Sequence, residues 1–271
     1  MPELPEVETI VRDLQRLVLS AVIADADILK ADLIDGDTKA FISGVRGREI
    51  RNVSRRAKNI VIDLGNPFLL INLGMTGRVL VVDPASALPQ HLGVRFDLAD
   101  GRRILYQDVR RFGRLWVGGR EAWSKREAAF GVEPLSADFT PERLRAMAAR
   151  SRVAVKPWLM DQARVVGVGN IYASEALFRA GIDPRKPANR LTKPNAVRLT
   201  ESVRAVLQEA IDFRGTTLLD YRDAAGESGA FSTRLRVYDR AGEPCVTCST
   251  PIKRIVQGGR STFYCSRCQK R

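Results

Sequence analysis

Lys58-Asn-Ile-Val-Ile-Asp-Leu64 is followed after a short break by Phe68-Leu-Leu-Ile71. Both runs are short and rich in β-branched residues, the signature of strands rather than helices. Arg78-Val-Leu-Val-Val82 and Arg103-Ile-Leu-Tyr106 repeat the pattern, and Gly, Asn and Asp punctuate the stretch from 21 to 118. No helical pattern long enough for a crossover separates these runs. The strands therefore pair antiparallel, as a sandwich or barrel.

Outward from this stretch the period changes. Val7, Ile10, Val11, Leu14 and Leu17 recur at helical spacing over residues 5–18, and Pro5 suits a first helical turn. On the other side, the polar segment Glu133-Pro-Leu-Ser-Ala-Asp-Phe-Thr-Pro141 leads into a helical half. Thr140 before Pro141 and Glu142 signals a helix start. Helices are expected at about 141–150, 156–165, 170–180 and 192–213. In the last, Leu199, Val203, Val206, Leu207, Ala210 and Ile211 form the buried stripe. Residues 215–235, rich in Gly, Ser and Asp, read as a mobile loop, and a small Cys-bearing module follows from about 236. The expected organisation is α+β and multidomain: a β-sandwich with a flanking helix over 1–132, a helical domain over 133–235 and a finger over 236–271.

The chain's 271 residues leave room for two domains, each with its own core. Lys and Arg number 44 against 31 Asp and Glu, a net charge of +13. Such a balance serves solubility or a polyanionic partner, nucleic acid foremost. The N-terminus carries acids where a signal peptide carries Lys or Arg, and no apolar run approaches the roughly 18 residues of a membrane span. A cytoplasmic protein without membrane contact is expected. All four cysteines lie at or beyond Cys245, which argues against a disulfide framework. A single His, His91, excludes most His-dependent triads and His-rich metal sites.

Cys245-x2-Cys248-x16-Cys265-x2-Cys268 is the strongest local signal. Two such knuckles supply four thiolates in a tetrahedron, which suits Zn²⁺ and leaves no open position, so one structural zinc is expected. Between them, Ile252 to Phe263 reads as a hairpin turning at Gly258-Gly259, with Arg260 at its tip able to meet a phosphate. A module with so little core takes its folding free energy from the metal.

The N-terminus, Met1-Pro-Glu-Leu-Pro-Glu-Val7, carries a different chemistry. With Met1 removed, the chain begins with the secondary amine of Pro2, beside Glu3 and Glu6 at a helix mouth. An amine next to an acid suggests covalent catalysis. Gly167-Val-Gly169-Asn170-Ile-Tyr172 places a tight turn before a helix whose N-terminal N–H groups, with Asn170, could bind phosphate; in isolation the motif is weak and reads first as a plain helix–helix turn. Asp108-Val-Arg110-Arg111-Phe112-Gly113 and Gly74-Met75-Thr-Gly77 place cations and apolar side chains on loops, as in proteins that wedge DNA apart. Taken separately, Phe112 and Met75 read as core residues, and Lys58, after Arg55 and Arg56, as a basic edge.

Together with Pro2-Glu-Leu-Pro-Glu-Val-Glu-Thr9, these motifs occur in the order and spacing of bacterial formamidopyrimidine-DNA glycosylase, which the chain resembles from residue 2 to about 270. Endonuclease VIII, a related enzyme acting on oxidised pyrimidines, has Gly-Pro where this chain has Leu4-Pro5. The resemblance implies a β-sandwich joined to a helix-two-turns-helix domain and a zinc finger, with damaged double-stranded DNA bound by a monomer in the cleft between the halves. It implies excision of oxidised purines such as 8-oxoguanine and formamidopyrimidines, then strand nicking, in the bacterial cytoplasm at the nucleoid. The alternatives are an oxidised-pyrimidine glycosylase like endonuclease VIII, which the Leu4-Pro5 pair disfavours, and, of a different class, a non-catalytic damaged-DNA-binding paralogue.

Residue by residue, the resemblance makes Pro2 the nucleophile and Glu3 the acid, and gives Lys58 a place in the catalytic set. Met75, Arg110 and Phe112 fill the void left by a flipped base. Lys58, Asn170 and Arg260 hold phosphates, Lys156 lies near the damaged nucleotide, and Glu6 and Glu175 lie near the nucleophile. The segment around 216–235, with Gly226 and Gly229, would close over the base. Two positions depart from the family pattern: Asn72 and Gly93 stand where histidines are common.

Overall fold

A computed structural model of the chain describes residues 2–216 and 229–271. It comprises two compact units, Met1–Ala129 with Phe213–Ala230, and Phe130–Asp212 with Phe231–Arg271. Among the described residues no helix is long and apolar enough to cross a membrane.

The first unit opens with α1 (Leu4–Val18), where Pro5 sits in the first turn as its fixed φ permits. A reciprocal capping box starts the helix: the Glu3 side chain accepts from the Glu6 N–H, and Glu6 Oε2 accepts from Glu3 N at 2.8 Å. After α1 come β1 (Val22–Ile28), α2 (Thr38–Val45), β2 (Arg48–Glu49), β3 (Asn52–Arg56), β4 (Asn59–Asp63), β5 (Phe68–Asn72), β6 (Gly77–Val82), β7 (Leu92–Leu98), β8 (Arg103–Asp108), β9 (Arg114–Gly118) and α3 (Arg120–Glu127).

The strands form two antiparallel sheets, ordered β2-β1-β7-β8-β6 and β3-β4-β5-β9. Alternate residues of both meet in one core. Ile23, Phe96, Ile104 and Tyr106 come from the first sheet, and Val53, Ile60, Ile62, Ile71 and Leu115 from the second. Val7, Ile10, Val11, Leu14 and Val18 of α1 join the same core, so helical period on one element and period two on the others serve a single apolar interior. The helix α2 lies within the stretch read as strands alone, and Asp37 caps it by accepting from Ala40 N at 2.8 Å.

The second unit holds α4 (Pro141–Ala148), α5 (Val155–Leu159), α6 (Asn170–Arg179), α7 (Lys193–Asp212) and the hairpin β10 (Lys253–Gln257) and β11 (Arg260–Tyr264). Thr140 caps α4 through Arg143 N, as its sequence signals. The helix expected over 156–165 ends at Leu159. Beyond it, side chains take over the main-chain groups: Asp161 accepts from Ala163 N, and Gln162 bonds Met160 O, Val168 O and Gly167 N. Competition of this kind ends a helix that apolar spacing alone would extend.

The described residues 213–216 and 229–230 cluster with the first unit, not with the helices that precede them. Arg214 pairs with the buried Asp13 at 2.7 Å, and Thr216 N donates to Glu6 Oε1 at 2.7 Å. Thr216 also bridges Ala230, and Phe231 begins a short 3-10 helix and packs on Tyr172. The ends of the expected loop are thus anchored, whereas Gly226 lies outside the described residues.

Leu14 is fully buried and Leu17, on the same helix, is 36% exposed. Leu14→Ala is expected to lower unfolding free energy by about 2–5 kcal/mol. Leu17→Ala should stay within about 0.5 kcal/mol. Urea titration of both variants checks the assigned face of α1.

Candidate functional site

In the first unit, Pro2, Glu3 and Glu6 are brought together at the start of α1, all three buried, with Glu3 1% exposed. Glu6 uses one oxygen on Glu3 N and the other on Thr216 N, so it ties the terminus to the segment after α7. Gly215 permits that approach: a Cβ there would lie 2.9 Å from Glu6 Oε1, and its φ is +84°. Met1 lies outside the described residues.

Lys58 sits on the tight β3–β4 connection, where Ala57 takes a φ of 57°. Arg55 steadies this turn, donating to Ala57 O at 2.9 Å and to Glu8 of α1 at 3.1 Å. Asn59 Nδ2 reaches back to Arg56 O, and Asn59 Oδ1 accepts from Asn72 Nδ2 at 2.9 Å. Asn72 Oδ1 in turn accepts from Gly74 N at 3.0 Å. The Asn at position 72 therefore serves as a strut between the Lys58 turn and the Gly74–Gly77 loop. Gly93 is also structural: it sits at a register shift in β7, and a Cβ there would fall 2.2 Å from Leu33 Cδ1. His91, exposed at a φ of 59°, accepts from Asp108 N through its carbonyl.

Met75 and Phe112, which singly read as core, are 38% and 54% exposed. They belong to adjoining loops: a Cβ on Gly74 would lie 2.5 Å from Gly113 N. Arg110 stacks its guanidinium 4.7 Å from the Phe112 ring centroid.

In the second unit, the Gly167–Gly169 turn leads into α6, with Gly167 at a φ of +78°. Gln162 holds the turn from within, a role that sequence reading missed. Lys156 is 1% exposed, and its ammonium donates to Asn170 Oδ1, to Thr262 Oγ1 at 2.8 Å and to Ser261 O at 3.2 Å. An ammonium only donates, so it turns the Asn170 amide oxygen inward and its NH₂ away, within 3.5 Å of the Tyr238 hydroxyl. Arg260 is exposed at the tip of the hairpin, whose turn Gly258-Gly259 has both φ values positive. Lys156 thus joins the Asn170 turn to the strand that carries Arg260. Glu175 is fully buried, and its carboxylate accepts from the consecutive N–H groups of Arg236, Val237 and Tyr238 at 2.9–3.1 Å.

Three family models match in chain order: the Formamidopyrimidine-DNA glycosylase N-terminal domain over residues 1–115, its H2TH domain over 130–221, and the zinc finger found in FPG and IleRS over 242–271. A formamidopyrimidine-DNA glycosylase of Thioalkalivibrio sulfidiphilus is 43% identical over 274 residues, covering 100% of both chains.

The chain belongs to the formamidopyrimidine-DNA glycosylase family.

Its fold matches the solved MutM (Fpg) of Thermus thermophilus at a TM-score of 0.89 and 38% identity, over 99% of this chain and 98% of that one. The Lactococcus lactis Fpg in complex with abasic-site DNA matches at 0.93 and 29% identity, over 99% and 100%. That Lactococcus protein has also been solved with DNA containing an oxidised pyrimidine. Membership makes this chain a DNA glycosylase of base excision repair, acting on damaged bases.

The finger's donor set fits the metal its family name implies. Sγ of Cys245, Cys248, Cys265 and Cys268 lie within 4.8 Å of one another, with pairs at 3.9 and 3.5 Å. A zinc tetrahedron with Zn–S of about 2.3 Å sets S···S edges near ~3.8 Å. Burial and neighbouring thiols push Cys268 up to about 12, whereas a bond to Thr250 draws Cys248 down to about 6. A dication reverses this by taking all four as thiolates.

Glu175→Ala is expected to cost the second unit at least about 2–4 kcal/mol, because it leaves buried N–H groups unpaired. Glu175→Gln, which keeps an acceptor oxygen, should cost less. Thermal unfolding of both variants checks the order.

Proposed function

We propose that the protein is a bifunctional glycosylase and abasic-site lyase that excises oxidised purines, 8-oxoguanine and formamidopyrimidines, from double-stranded DNA. The observation that carries this reading is Pro2, buried at the mouth of α1 next to the capping box of Glu3 and Glu6. Once Met1 has been removed, the lone pair of the freed Pro2 secondary amine attacks the sugar C1′ of a flipped nucleotide. The glycosidic bond breaks with its electron pair on the departing base, which takes up a proton. Glu3 protonates the ring oxygen as the sugar opens. A secondary amine then leaves an iminium, which acidifies C2′; loss of that proton expels the 3′ phosphate, and a second elimination expels the 5′ phosphate.

Flipping costs a few kcal/mol of stacking and pairing, and groups that occupy the gap offset it. Met75, Arg110 and Phe112 supply them, because their exposure and adjoining loops suit insertion into a base stack. Lys58, Asn170 and Arg260 hold backbone phosphates. Lys156, buried and bonded to Asn170, acts by presenting the Asn170 NH₂ to an anion rather than by touching DNA. Glu6 and Glu175 act as struts. One zinc ion, held by the four cysteines, fixes the hairpin and supplies no step of the reaction. Oxidised pyrimidines form a second substrate class, favoured by the Lactococcus lactis Fpg complex that contains one.

Borohydride reduction on duplex DNA containing 8-oxoguanine tests the mechanism. The wild-type protein is expected to give a covalent adduct that Pro2→Gly abolishes; binding without any adduct defeats the proposal. The same assay on an oxidised pyrimidine ranks the two classes. Metal analysis should return one zinc per chain. Cys265→Ser is expected to lose it and to raise amide exchange over 253–264 while the β-sandwich stays protected. Full protection of the hairpin without metal would refute the structural zinc.

A further inference from the structure

We propose that Asp108 is a positioning residue that sets Met75, Arg110 and Phe112 as one preorganised unit before DNA arrives. The inference rests on the reading of those three side chains as the group that fills a flipped base's place. Asp108 closes β8 and is 2% exposed, so its carboxylate faces the protein and not a ligand. Oδ1 accepts from the Thr76 hydroxyl at 2.5 Å and from Arg110 N at 3.2 Å. Oδ2 accepts from Gly113 N at 2.8 Å, with the Tyr106 hydroxyl at 3.4 Å. Thr76 also accepts from Arg110 N at 3.1 Å, which closes a ring of bonds between the two loops.

The glycines that flank these loops make the junction rigid. A Cβ on Gly113 would lie 1.7 Å from the Tyr106 hydroxyl and 2.7 Å from Asn72 O, and one on Gly77 2.4 Å from Leu73 O and 2.8 Å from the same hydroxyl. The loops pack there against neighbouring backbone and against the fully buried Tyr106 ring, which leaves them no room to shift. Exposed apolar groups on unsupported loops would fold back on the nearest apolar surface, and ordering them at binding costs side-chain and loop entropy. Asp108 meets that cost during folding. The loops are held by bonds to one buried anion, which leaves Met75 and Phe112 outward.

The test uses the full chain, titrated into a duplex carrying a tetrahydrofuran abasic analogue opposite 2-aminopurine, whose fluorescence reports insertion without any chemistry. The same analogue in single-stranded DNA, which has no partner base or gap to fill, serves as reference. Asp108→Asn, which puts an NH₂ against donors, is expected to weaken duplex binding by about tenfold and to lower the saturating fluorescence, since small misplacements cost up to ~10²-fold. Single-strand affinity should stay within about twofold. Thr76→Val removes the two bonds of the Thr76 hydroxyl but keeps the carboxylate with its bonds to Arg110 N and Gly113 N, and should show the same selective loss to a smaller degree; it carries the test if Asp108→Asn does not fold. An equal loss on both DNAs, or no loss on the duplex, overturns the proposal. Phe112→Ala separates the two readings: unchanged fluorescence in that variant defeats the wedge itself, independently of Asp108.

Discussion

A carboxylate removed from water must have its oxygens met by donors, and three such carboxylates organise this chain. Glu6 accepts from Glu3 N and Thr216 N, Asp108 from Arg110 N and Gly113 N, and Glu175 from three consecutive N–H groups after Leu235. In each case the partners are main-chain groups of irregular segments, which have no ladder to satisfy them. The anion replaces the ladder, and the segment takes one conformation. The N-terminus, the paired loops at 74–77 and 110–113, and the approach to the finger all depend on this constraint.

Lys156 is the cationic counterpart. Its buried ammonium spends its donors on Asn170, Ser261 and Thr262, and so links a helix start to a hairpin strand. Charge buried in this way adds little net stability, because desolvation offsets much of the attraction. Orientation is what it provides. The Asn170 amide has one allowed direction beside an ammonium, and a loop carboxylate admits only backbone conformations that point N–H groups at it. Groups proposed to touch DNA thus sit on short connections or on the first residue of an element, as Asn170 and Arg260 do, while the interiors and ends of regular strands and helices carry the anchors.

Much of this was legible from local pattern. Short β-branched runs placed β4, β5, β6 and β8, two strands of each sheet, helical spacing placed α1, and the Cys spacing placed the four clustered thiols, because each signal is complete within a short window. Local pattern failed where side chains compete with the backbone. The apolar spacing through 156–165 outran α5 because Asp161 and Gln162 capture main-chain groups. The stretch dominated by strand signals concealed α2, although Asp37 before Thr38 was a usable cap signal. Phe112 and Met75 read as core one at a time, and only their shared support shows why apolar side chains stay exposed.

By itself the sequence determined the two classes of element and most of the helices, the cysteine set suited to a metal and the residue types able to do covalent chemistry at a helix mouth, since these follow from periodicity, spacing and position. Tertiary structure alone decided which side chains are anchors. Asp108 and Thr76, Arg55 and Glu8, Lys156 and Thr262 lie 32, 47 and 106 residues apart, and no local rule pairs them. It likewise decided that Asn72 braces a loop and that Gly93 makes room for Leu33. The physical reason is the same throughout. Burial turns a polar side chain from a solvated group into one that must find partners, and only the folded chain says which partners are within reach.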